Sequence, residues 1–374
     1  MIQHNEPPFS SVRVESSAGA YSVLVGPGVL RRAGALLPSL GAAGPVAVVT
    51  DSRVAGLHLG PLRQTLTSAG LDVSVFEIQP GESSKSLESA GRVYEWLAAE
   101  GFARDSWIVA LGGGVTGDLA GFVAATWLRG IAWVNCPTTT EAAIDASVGG
   151  KTGVNLAAGK NLVGAFHPPR LVLIDVETFA TLPERDFVAG LAEAVKHGVV
   201  RDGTLLDWLE SNVGGLRIRD RAVLVELVCR NVRIKADVVR DDEHETGGRD
   251  GIGRAALNYG HTIGHALESH FRYDLRHGEC IGLGMLAAAS IASGRSVGAK
   301  GLRARLRQLL HLFGLPVVTP RAVSVGDISG FLTADKKSLG GRVRFVLASE
   351  PGTLFWADDV GADEIEAALA ELRP

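Results

Sequence analysis

The first half of the chain alternates short apolar runs with amphipathic runs. The apolar runs are rich in β-branched residues, as buried strands are; they cover 21–26, 46–51, 71–78, 106–114, 131–137 and 171–175. Amphipathic stretches such as 86–100 lie between several of them. Regular alternation of strand and helix predicts a parallel sheet that is covered by helices.

The pattern changes after "TLPERD" at 181–186. Strand-like runs are then rare until 343–352, and longer runs carry apolar residues at helical spacing; these cover 187–200, 204–212, 219–240, 257–271, 278–292 and 300–313. We therefore expect an α/β domain over 1–182 and a mainly α-helical domain over 183–374. A cleft between two such domains is a common place for a ligand.

Composition and charge exclude several classes of protein. The 374 residues are 46% hydrophobic and 21% charged, which is typical of globular chains. A formal net charge of −4 gives no basic footprint for nucleic acid or an anionic membrane. The three cysteines are widely spaced and match neither a disulfide framework nor a CxxC zinc site. The chain starts without a signal-peptide pattern and has no long apolar run, so a reducing cytoplasm is expected.

A glycine turn follows one predicted strand. In "WIVALGGGVTGDLAG", Gly112, Gly114 and Gly117 satisfy GxGxxG, a pattern that brings backbone N–H groups close to a diphosphate at a helix start. A tight turn without a ligand is the alternative. Asp51 ends an earlier strand, where its carboxylate could accept hydrogen bonds from ribose hydroxyls or cap a helix.

Two further segments carry candidate charges. The small-residue segment 144–169 contains amides and lysines that could contact phosphate oxygens, although it lacks GxxxxGK[ST] and could equally be a glycine-rich loop with solvated lysines. In "GLAEAVKHG", Glu193, Lys196 and His197 share one helical face. Such i,i+3 and i,i+4 sets often only decorate a surface.

Four histidines lie in "NYGHTIGHALESHFRYDLRHGE" at 258–279. His261 and His265 project from one helical face, whereas His270 is about half a turn out of phase. His277 follows a predicted loop and could fold back. Two or three histidines with a carboxylate suit a zinc site that keeps one position open, and the absence of HExxH speaks against a metalloprotease. Structural histidines without a metal are the alternative.

Taken together, these motifs resemble the 3-dehydroquinate synthase family of sugar phosphate cyclases over about residues 20–350. The resemblance is carried by "GGGVTGD", "PTT", "DASVGGKTGVN", "GKNLVGAFHPP", "TLPERDFVAGLAEAVKHG", "RIKADVVRDDE", "LNYGHTIGHALE", "RHGE" and "ADKK". It implies an NAD-binding α/β domain and a helical domain that holds a divalent metal, usually zinc. It also implies conversion of 3-deoxy-D-arabino-heptulosonate 7-phosphate to 3-dehydroquinate and phosphate, in which NAD oxidises a hydroxyl, phosphate is eliminated and the hydride is returned.

The resemblance also implies roles for individual residues. The metal ligands correspond to Glu193, His261 and His277. Groups around the reacting hydroxyls correspond to Asp145, Lys196 and Asn258. Phosphate contacts correspond to Lys151, Asn161, His265, Lys337 and, reaching from a neighbouring subunit of a dimer, Arg129. Lys235 and Arg254 correspond to cations on the substrate carboxylate, with Glu245 nearby. Contacts to NAD correspond to Asp51, Glu82, Lys85, Gly113, Gly114, Asp118, Thr138, Thr139, Lys160, Phe179 and Thr181.

The chain departs from the family pattern in three places. Thr140 and Glu141 stand where two leucines are usual, and His197 stands where tyrosine is commoner. The segment 245–254 is about five residues longer than usual. Alternatives are another sugar phosphate cyclase, including one that makes an amino-dehydroquinate, an NAD- and metal-dependent polyol dehydrogenase, and a non-catalytic binding protein.

Overall fold

The computed structural model describes residues 9–248, 251–272, 274–297, 301–334 and 343–374. The chain forms two compact units: the first contains Met1–Pro183 and Arg219–Arg240, and the second contains Glu184–Ile218 and Asp241–Pro374. The expected division at 182/183 differs from this one in a single run, because 219–240 belongs with the α/β part. Lys235 on that run forms an ion pair with Asp145 of the α/β part.

A seven-stranded sheet forms the centre of the first unit. The strands of this unit are β1 (Ser10–Val14), β2 (Tyr21–Val25), β3 (Val46–Asp51), β4 (Val73–Ile78), β5 (Trp107–Gly112), β6 (Ala132–Pro137), β7 (Lys151–Leu156), β8 (Gly159–Phe166) and β9 (Leu171–Ile174). The order in the sheet is β1-β2-β9-β6-β5-β3-β4, and only β1 pairs antiparallel. β7 and β8 form a separate antiparallel hairpin, where the sequence indicated only a segment rich in small residues.

Helices complete both units. The α-helices are α1 (Ala33–Ser39), α2 (Ser52–Val54), α3 (Gly60–Ser68), α4 (Leu87–Ala99), α5 (Gly114–Thr126), α6 (Glu184–Val200), α7 (Gly203–Ser211), α8 (Val213–Arg217), α9 (Arg221–Asp241), α10 (His261–His270), α11 (His277–Gly294), α12 (Leu302–Phe313), α13 (Val325–Ala334) and α14 (Ala362–Ala370). A two-stranded sheet, β10 (Phe345–Glu350) and β11 (Thr353–Ala357), belongs to the second unit. An α/β first part and a mainly helical second part are confirmed.

Both faces of the seven-stranded sheet are buried, because successive side chains of a strand point to opposite faces. On β3, Val46 and Val48 pack into one apolar cluster with residues of α1 and α3. Ala47 and Val49 pack into a second cluster with residues of α4 and α5. A run of apolar residues without polar alternation is therefore what this strand requires.

α11 is the central helix of the second unit and is buried along most of its length. Two of its glycines allow other backbones to come very close. A Cβ atom on Gly278 would overlap the carbonyl oxygen of Ala189 on α6, and one on Gly284 would overlap the carbonyl oxygen of Gly260, just before α10. The N-terminal turn of α11 therefore lies directly against α6, and the start of α10 lies directly against the middle of α11.

The predicted helix over 257–271 is interrupted. A 3-10 helix covers Gly253–Asn258, and α10 begins only at His261. Gly260 lies between them with φ 78°, a left-handed conformation that glycine adopts without strain. The interruption places His261 at the first position of α10.

Candidate active site

The glycine turn joins the end of β5 to the start of α5. Gly113 is the N-cap of α5, and a Cβ atom on it would lie 3.0 Å from Cγ2 of Thr139. The amide of Thr138 donates to the carbonyl of Gly112 at 2.8 Å, so the "PTT" segment lies beside the turn. The start of a 13-residue helix at this point offers N–H groups and a positive dipole end to an anion.

Asp51 caps a helix. Its Oδ1 accepts hydrogen bonds from the amides of Arg53 and Val54, each at 3.0 Å, at the start of α2. Of the two roles predicted for Asp51, the helix cap is thus present in the structure. Its contact with a ribose stays a prediction.

A polar cluster brings together residues from three separate stretches of the first unit. The ammonium group of Lys85 forms an ion pair with Asp118 on α5. Glu82 Oε1 accepts from Asn155 Nδ2 at 2.8 Å and lies 3.7 Å from Lys160 Nζ. Burial raises the pKa of Asp118, against the effect of Lys85. Sequence reasoning gave Asn155 no specific role, although its side chain donates to Glu82 and its backbone amide donates to the carbonyl of Lys85 at 2.8 Å.

Phe179 and Thr181 lie in a 3-10 helix over Val176–Thr181. The Phe179 side chain is fully buried, and Thr181 Oγ1 lies 2.8 Å from Nε2 of His58. His58 was missed by the sequence analysis. Its only signal is that it follows the predicted Asp51 position at helical distance, which is too weak to identify a site.

Candidate phosphate- and hydroxyl-binding residues of the first unit lie on β7, β8 and a π-helical turn. The turn, Ala142–Ala146, contains Asp145, and Lys235 Nζ lies 2.9 Å from Asp145 Oδ1. Lys151 lines a small cavity together with Gly113 and Gly114. Asn161 is exposed, with φ 54°.

The remaining predicted phosphate contacts are dispersed. Arg129 is exposed, with φ 70°, in the turn after α5. Lys337 lies outside the described residues. Thr140, which stands where the family usually has a leucine, is fully buried, so the first unit accommodates a polar side chain at this position.

The predicted metal ligands converge in the second unit. Glu193, on α6, has a side chain that is 1% exposed. Its Oε1 lies 3.7 Å from Nε2 of His261 and 3.5 Å from Nε2 of His277. His261 and His277 are the first residues of α10 and α11. Because α11 lies against α6 at Gly278 and against the start of α10 at Gly284, the three side chains meet.

Both imidazole rings are oriented by their other nitrogen. His261 Nδ1 lies 3.2 Å from the carbonyl oxygen of Tyr259, and His277 Nδ1 lies 3.3 Å from Glu268 Oε2. An Nδ1–H group that donates to a carbonyl or carboxylate leaves the Nε2 lone pair toward Glu193. This is the arrangement that orients metal-binding histidines.

The charges around the cluster favour a bound cation. Burial and the positive charge of Lys196 lower the pKa of His261 well below its ordinary value, against the effect of Glu193. A neutral imidazole lone pair and a carboxylate oxygen that face each other repel, and a cation between them removes the repulsion. Lys196 pairs with the other oxygen of Glu193. One buried carboxylate with two imidazole nitrogens facing it therefore fits a divalent metal such as zinc.

His265 lies beside the same cluster. Its ring centroid is 5.0 Å from that of His261 and 5.6 Å from that of His277, and nitrogens of the three rings lie within 4.8 Å of one another. The geometry thus admits His265 as a third imidazole ligand. The assignment of His265 to phosphate stays a prediction. His270 lies elsewhere, with Nε2 3.5 Å from a guanidinium nitrogen of Arg321.

The predicted carboxylate-binding cations lie in different units. Lys235 is on α9 of the first unit, whereas Arg254 is in the second unit and is 3% exposed. Arg254 Nη1 donates to the carbonyl of Glu243 at 2.8 Å, and Asn258 Nδ2 donates to Glu245 Oε1 at 3.3 Å. Arg254, Asn258 and Glu245 therefore belong to one hydrogen-bonded segment.

Comparison with known proteins agrees with this picture. The 3-dehydroquinate synthase N-terminal family matches residues 75–189, and the C-terminal family matches residues 190–338. A 3-dehydroquinate synthase from Symbiobacterium thermophilum is 45% identical over 94% of this chain and 98% of its own length. Another from Desulforamulus reducens is 40% identical over 97% of this chain and 100% of its own length.

Solved structures give the same result for the fold. A 2-deoxy-scyllo-inosose synthase complexed with carbaglucose-6-phosphate, NAD+ and Co2+ has a TM-score of 0.88 at 27% identity, covering 97% of this chain and 100% of its own. A 2-epi-5-epi-valiolone synthase from Streptomyces hygroscopicus subsp. jinggangensis with NAD+ and Zn2+ bound has a TM-score of 0.84 at 29% identity, covering 94% and 96%.

A more distant neighbour shares the fold alone. The glycerol dehydrogenase from Schizosaccharomyces pombe has a TM-score of 0.68 at 16% identity, covering 94% of this chain and 88% of its own. Among the described residues, no helix is long and apolar enough to cross a membrane. With both family matches and relatives at 40–45% identity over nearly the whole chain, this protein belongs to the 3-dehydroquinate synthase family.

Proposed function

We propose that this chain converts 3-deoxy-D-arabino-heptulosonate 7-phosphate to 3-dehydroquinate and inorganic phosphate, with NAD and a divalent metal as cofactors. The observation that carries the proposal is the meeting of one buried carboxylate, Glu193, with the Nε2 atoms of His261 and His277. The level of identity to curated 3-dehydroquinate synthases supports the choice of substrate.

The metal would be held by Glu193, His261 and His277, and zinc is the metal that this donor set favours. When bound, such a metal would polarise the substrate hydroxyls. Lys196, fully buried beside Glu193, supplies a positive charge next to those hydroxyls. Asp145 and Asn258 would orient them, so that the reacting carbon is held in one position.

NAD would bind in the first unit, where the glycine turn and the polar cluster lie. The start of α5 at Gly113 and Gly114 would receive the diphosphate. Around it we place the other proposed nucleotide contacts: Asp51, Glu82, Lys85, Asp118, Thr138, Thr139, Lys160, Phe179 and Thr181. Bound NAD would accept and return a hydride, and the protein residues would orient it.

The substrate carries a phosphate and a carboxylate, and each needs cations. We assign the phosphate to Lys151, Asn161, His265 and Lys337, with Arg129 reaching from a second copy in a homodimer. We assign the carboxylate to Lys235 and Arg254, which are 5% and 3% exposed.

The strongest alternative is another cyclase of the same family. The solved inosose and valiolone synthases bind NAD and a metal, yet their identity to this chain is 27–29%, against 40–45% for the curated 3-dehydroquinate synthases. An aminodehydroquinate synthase would use the same carboxylate and phosphate contacts, so direct substrate competition is needed to distinguish it. We place the reaction in the cytoplasm, within the shikimate pathway of aromatic amino acid biosynthesis.

Phosphate release tests the proposal. Purified protein, loaded with Zn2+ and NAD, should release phosphate from the heptulosonate phosphate, and a chelator should abolish the release. Absorbance of NADH should stay flat during turnover, because NAD is regenerated. Fully metallated protein that releases no phosphate would refute the activity, and steady accumulation of NADH would identify a dehydrogenase instead.

A further inference from the structure

One buried carboxylate outside the proposed site organises the segment that carries part of it. Asp242 follows α9, is 5% exposed, and precedes a turn segment that we call the Asp242 loop, residues 243–248 and 251–254. Glu245 belongs to this loop, Arg254 ends it, and Asn258 follows one turn later. Sequence reasoning gave Asp242 no role.

The carboxylate of Asp242 accepts four hydrogen bonds from the loop. Oδ1 accepts from the amide of Thr246 at 2.7 Å and from its hydroxyl at 3.1 Å. Oδ2 accepts from the amides of Gly247 at 3.1 Å and Arg254 at 3.0 Å. One oxygen thus binds the outgoing limb of the loop, and the other ties that limb to the returning limb.

The backbone of the loop is shaped to this carboxylate. Gly253 has φ 53°, and a Cβ atom on it would overlap Asp242 Oδ2. Gly248 has φ 56°, and its Cβ atom would lie 2.7 Å from Cα of Gly253. Burial alone would raise the pKa of Asp242, but the hydrogen bonds from Arg254, Thr246 and Gly247 lower it below its ordinary value.

We propose that Asp242 is a positioning residue, whose carboxylate holds the two limbs of its loop together so that Arg254, with Glu245 nearby, faces the substrate carboxylate and Asn258 faces the substrate hydroxyls in one arrangement. This inference rests on the proposed function, since Arg254 is the assigned carboxylate contact. The longer loop of this chain needs such a tie, because a longer flexible segment has more conformations to lose.

The Asp242→Asn variant tests whether the loop is held by the hydrogen bonds that the carboxylate accepts or only by the packing of the side chain. An amide has nearly the same shape, but its NH2 group must face either the Thr246 donors or the amides of Gly247 and Arg254. We expect kcat/KM to fall by about 100-fold, mainly through KM, because misplacement of a binding group by about 1 Å has effects of that size. Metal content and NAD affinity should match those of the wild type.

Asp202→Asn is the matched control. Asp202 accepts from the amide of Thr204 at 3.0 Å and from its hydroxyl at 2.6 Å, which is the same chemistry at the start of α7. Its kinetics should equal those of the wild type. If Asp242→Asn keeps the wild-type KM, or loses only kcat together with thermal stability, Asp242 is merely structural and the proposal is overturned.

Two further measurements test the proposal without relying on enzyme turnover or on the correct folding of a single variant. Hydrogen exchange should show loss of protection for the amides of Thr246, Gly247 and Arg254 in Asp242→Asn but not in Asp202→Asn. Unchanged protection in Asp242→Asn would overturn the proposal even if the wild type releases no phosphate and the proposed function fails. Gly253→Ala should raise KM like Asp242→Asn, whereas Gly251→Ala, at φ 77° with nothing within 4 Å of its Cβ position, carries similar backbone strain without displacing the carboxylate. Equal kinetics for the two alanine variants would also overturn it.

Discussion

The two candidate sites of this protein are assembled in different ways. In the first unit, the glycine turn lies at the end of β5, Lys85 pairs with Asp118, and Glu82 binds Asn155. In the second unit, Glu193 and two histidine nitrogens, all electron-pair donors, point at one place. The first arrangement suits an elongated ligand that approaches backbone amides, and the second suits a compact cation.

The difference also lies in what holds each site together. The strand order brings the end of β5 and the "PTT" segment after β6 side by side through regular sheet hydrogen bonds. The histidine site instead depends on helices that approach at Gly278 and Gly284, where a single methyl group would overlap backbone atoms. The metal site should therefore be much more sensitive to small changes in packing than the nucleotide site.

The largest effect is expected from removing a metal ligand. His277→Ala should weaken metal binding by more than about 100-fold, because losing a residue that only orients a ligand already costs up to about 100-fold. Activity should fall as the metal is lost. His265→Ala should keep the metal and lose substrate affinity. Metal content after dialysis, read by elemental analysis, checks both variants. Equal metal loss in both would make His265 a ligand and revise the assigned set.

The next effect tests the ion pair of the first unit. Lys85→Met leaves Asp118 without its partner in a largely buried place, and we expect about 3 kcal/mol loss in the free energy of unfolding. Adding Asp118→Asn should recover part of the loss, because both charges are then gone. Denaturant unfolding measures this. Arg230→Met, which breaks the more exposed pair with Glu226, is the control and should cost no more than about 1 kcal/mol.

A double mutant no more stable than Lys85→Met would show that the pair contributes through packing of the lysine stem and not through charge. In that case the polar cluster of the first unit would resemble the packing-dependent site of the second, and the contrast between the two sites would weaken.

A smaller effect on stability, but one specific to the second unit, is expected at the helix contact. Gly278→Ala should lower the free energy of unfolding by about 1–3 kcal/mol and weaken metal binding, because α6 and α11 must move apart. Gly282→Ala on the same helix is the control: its Cβ atom would lie 3.4 Å from Leu310, so it should be neutral or stabilising by up to about 1 kcal/mol. Thermal unfolding with and without metal measures both. Unchanged metal affinity in Gly278→Ala would contradict a site that depends on this contact.

Much of the first unit was accessible from the sequence, because its signals are local. The six predicted strands are all present, and the glycine turn joins a strand to a helix as expected. The hairpin of β7 and β8 was not predicted, since its small residues carry little hydrophobic pattern. The break before His261 was missed for a related reason: a glycine in a helical pattern gives no sign of its φ value, and only the approach of α11 explains it.

The sequence by itself determined the class of fold, the family and the residues that carry candidate chemistry, because these depend on local periodicity and on motifs in a given order. Only the tertiary structure decided which of those residues meet. It placed His277 beside His261, Glu193 and His265, and brought the amide of Arg254 back to Asp242. Such contacts join residues far apart in the chain through helix packing and backbone turns, and no local pattern encodes them.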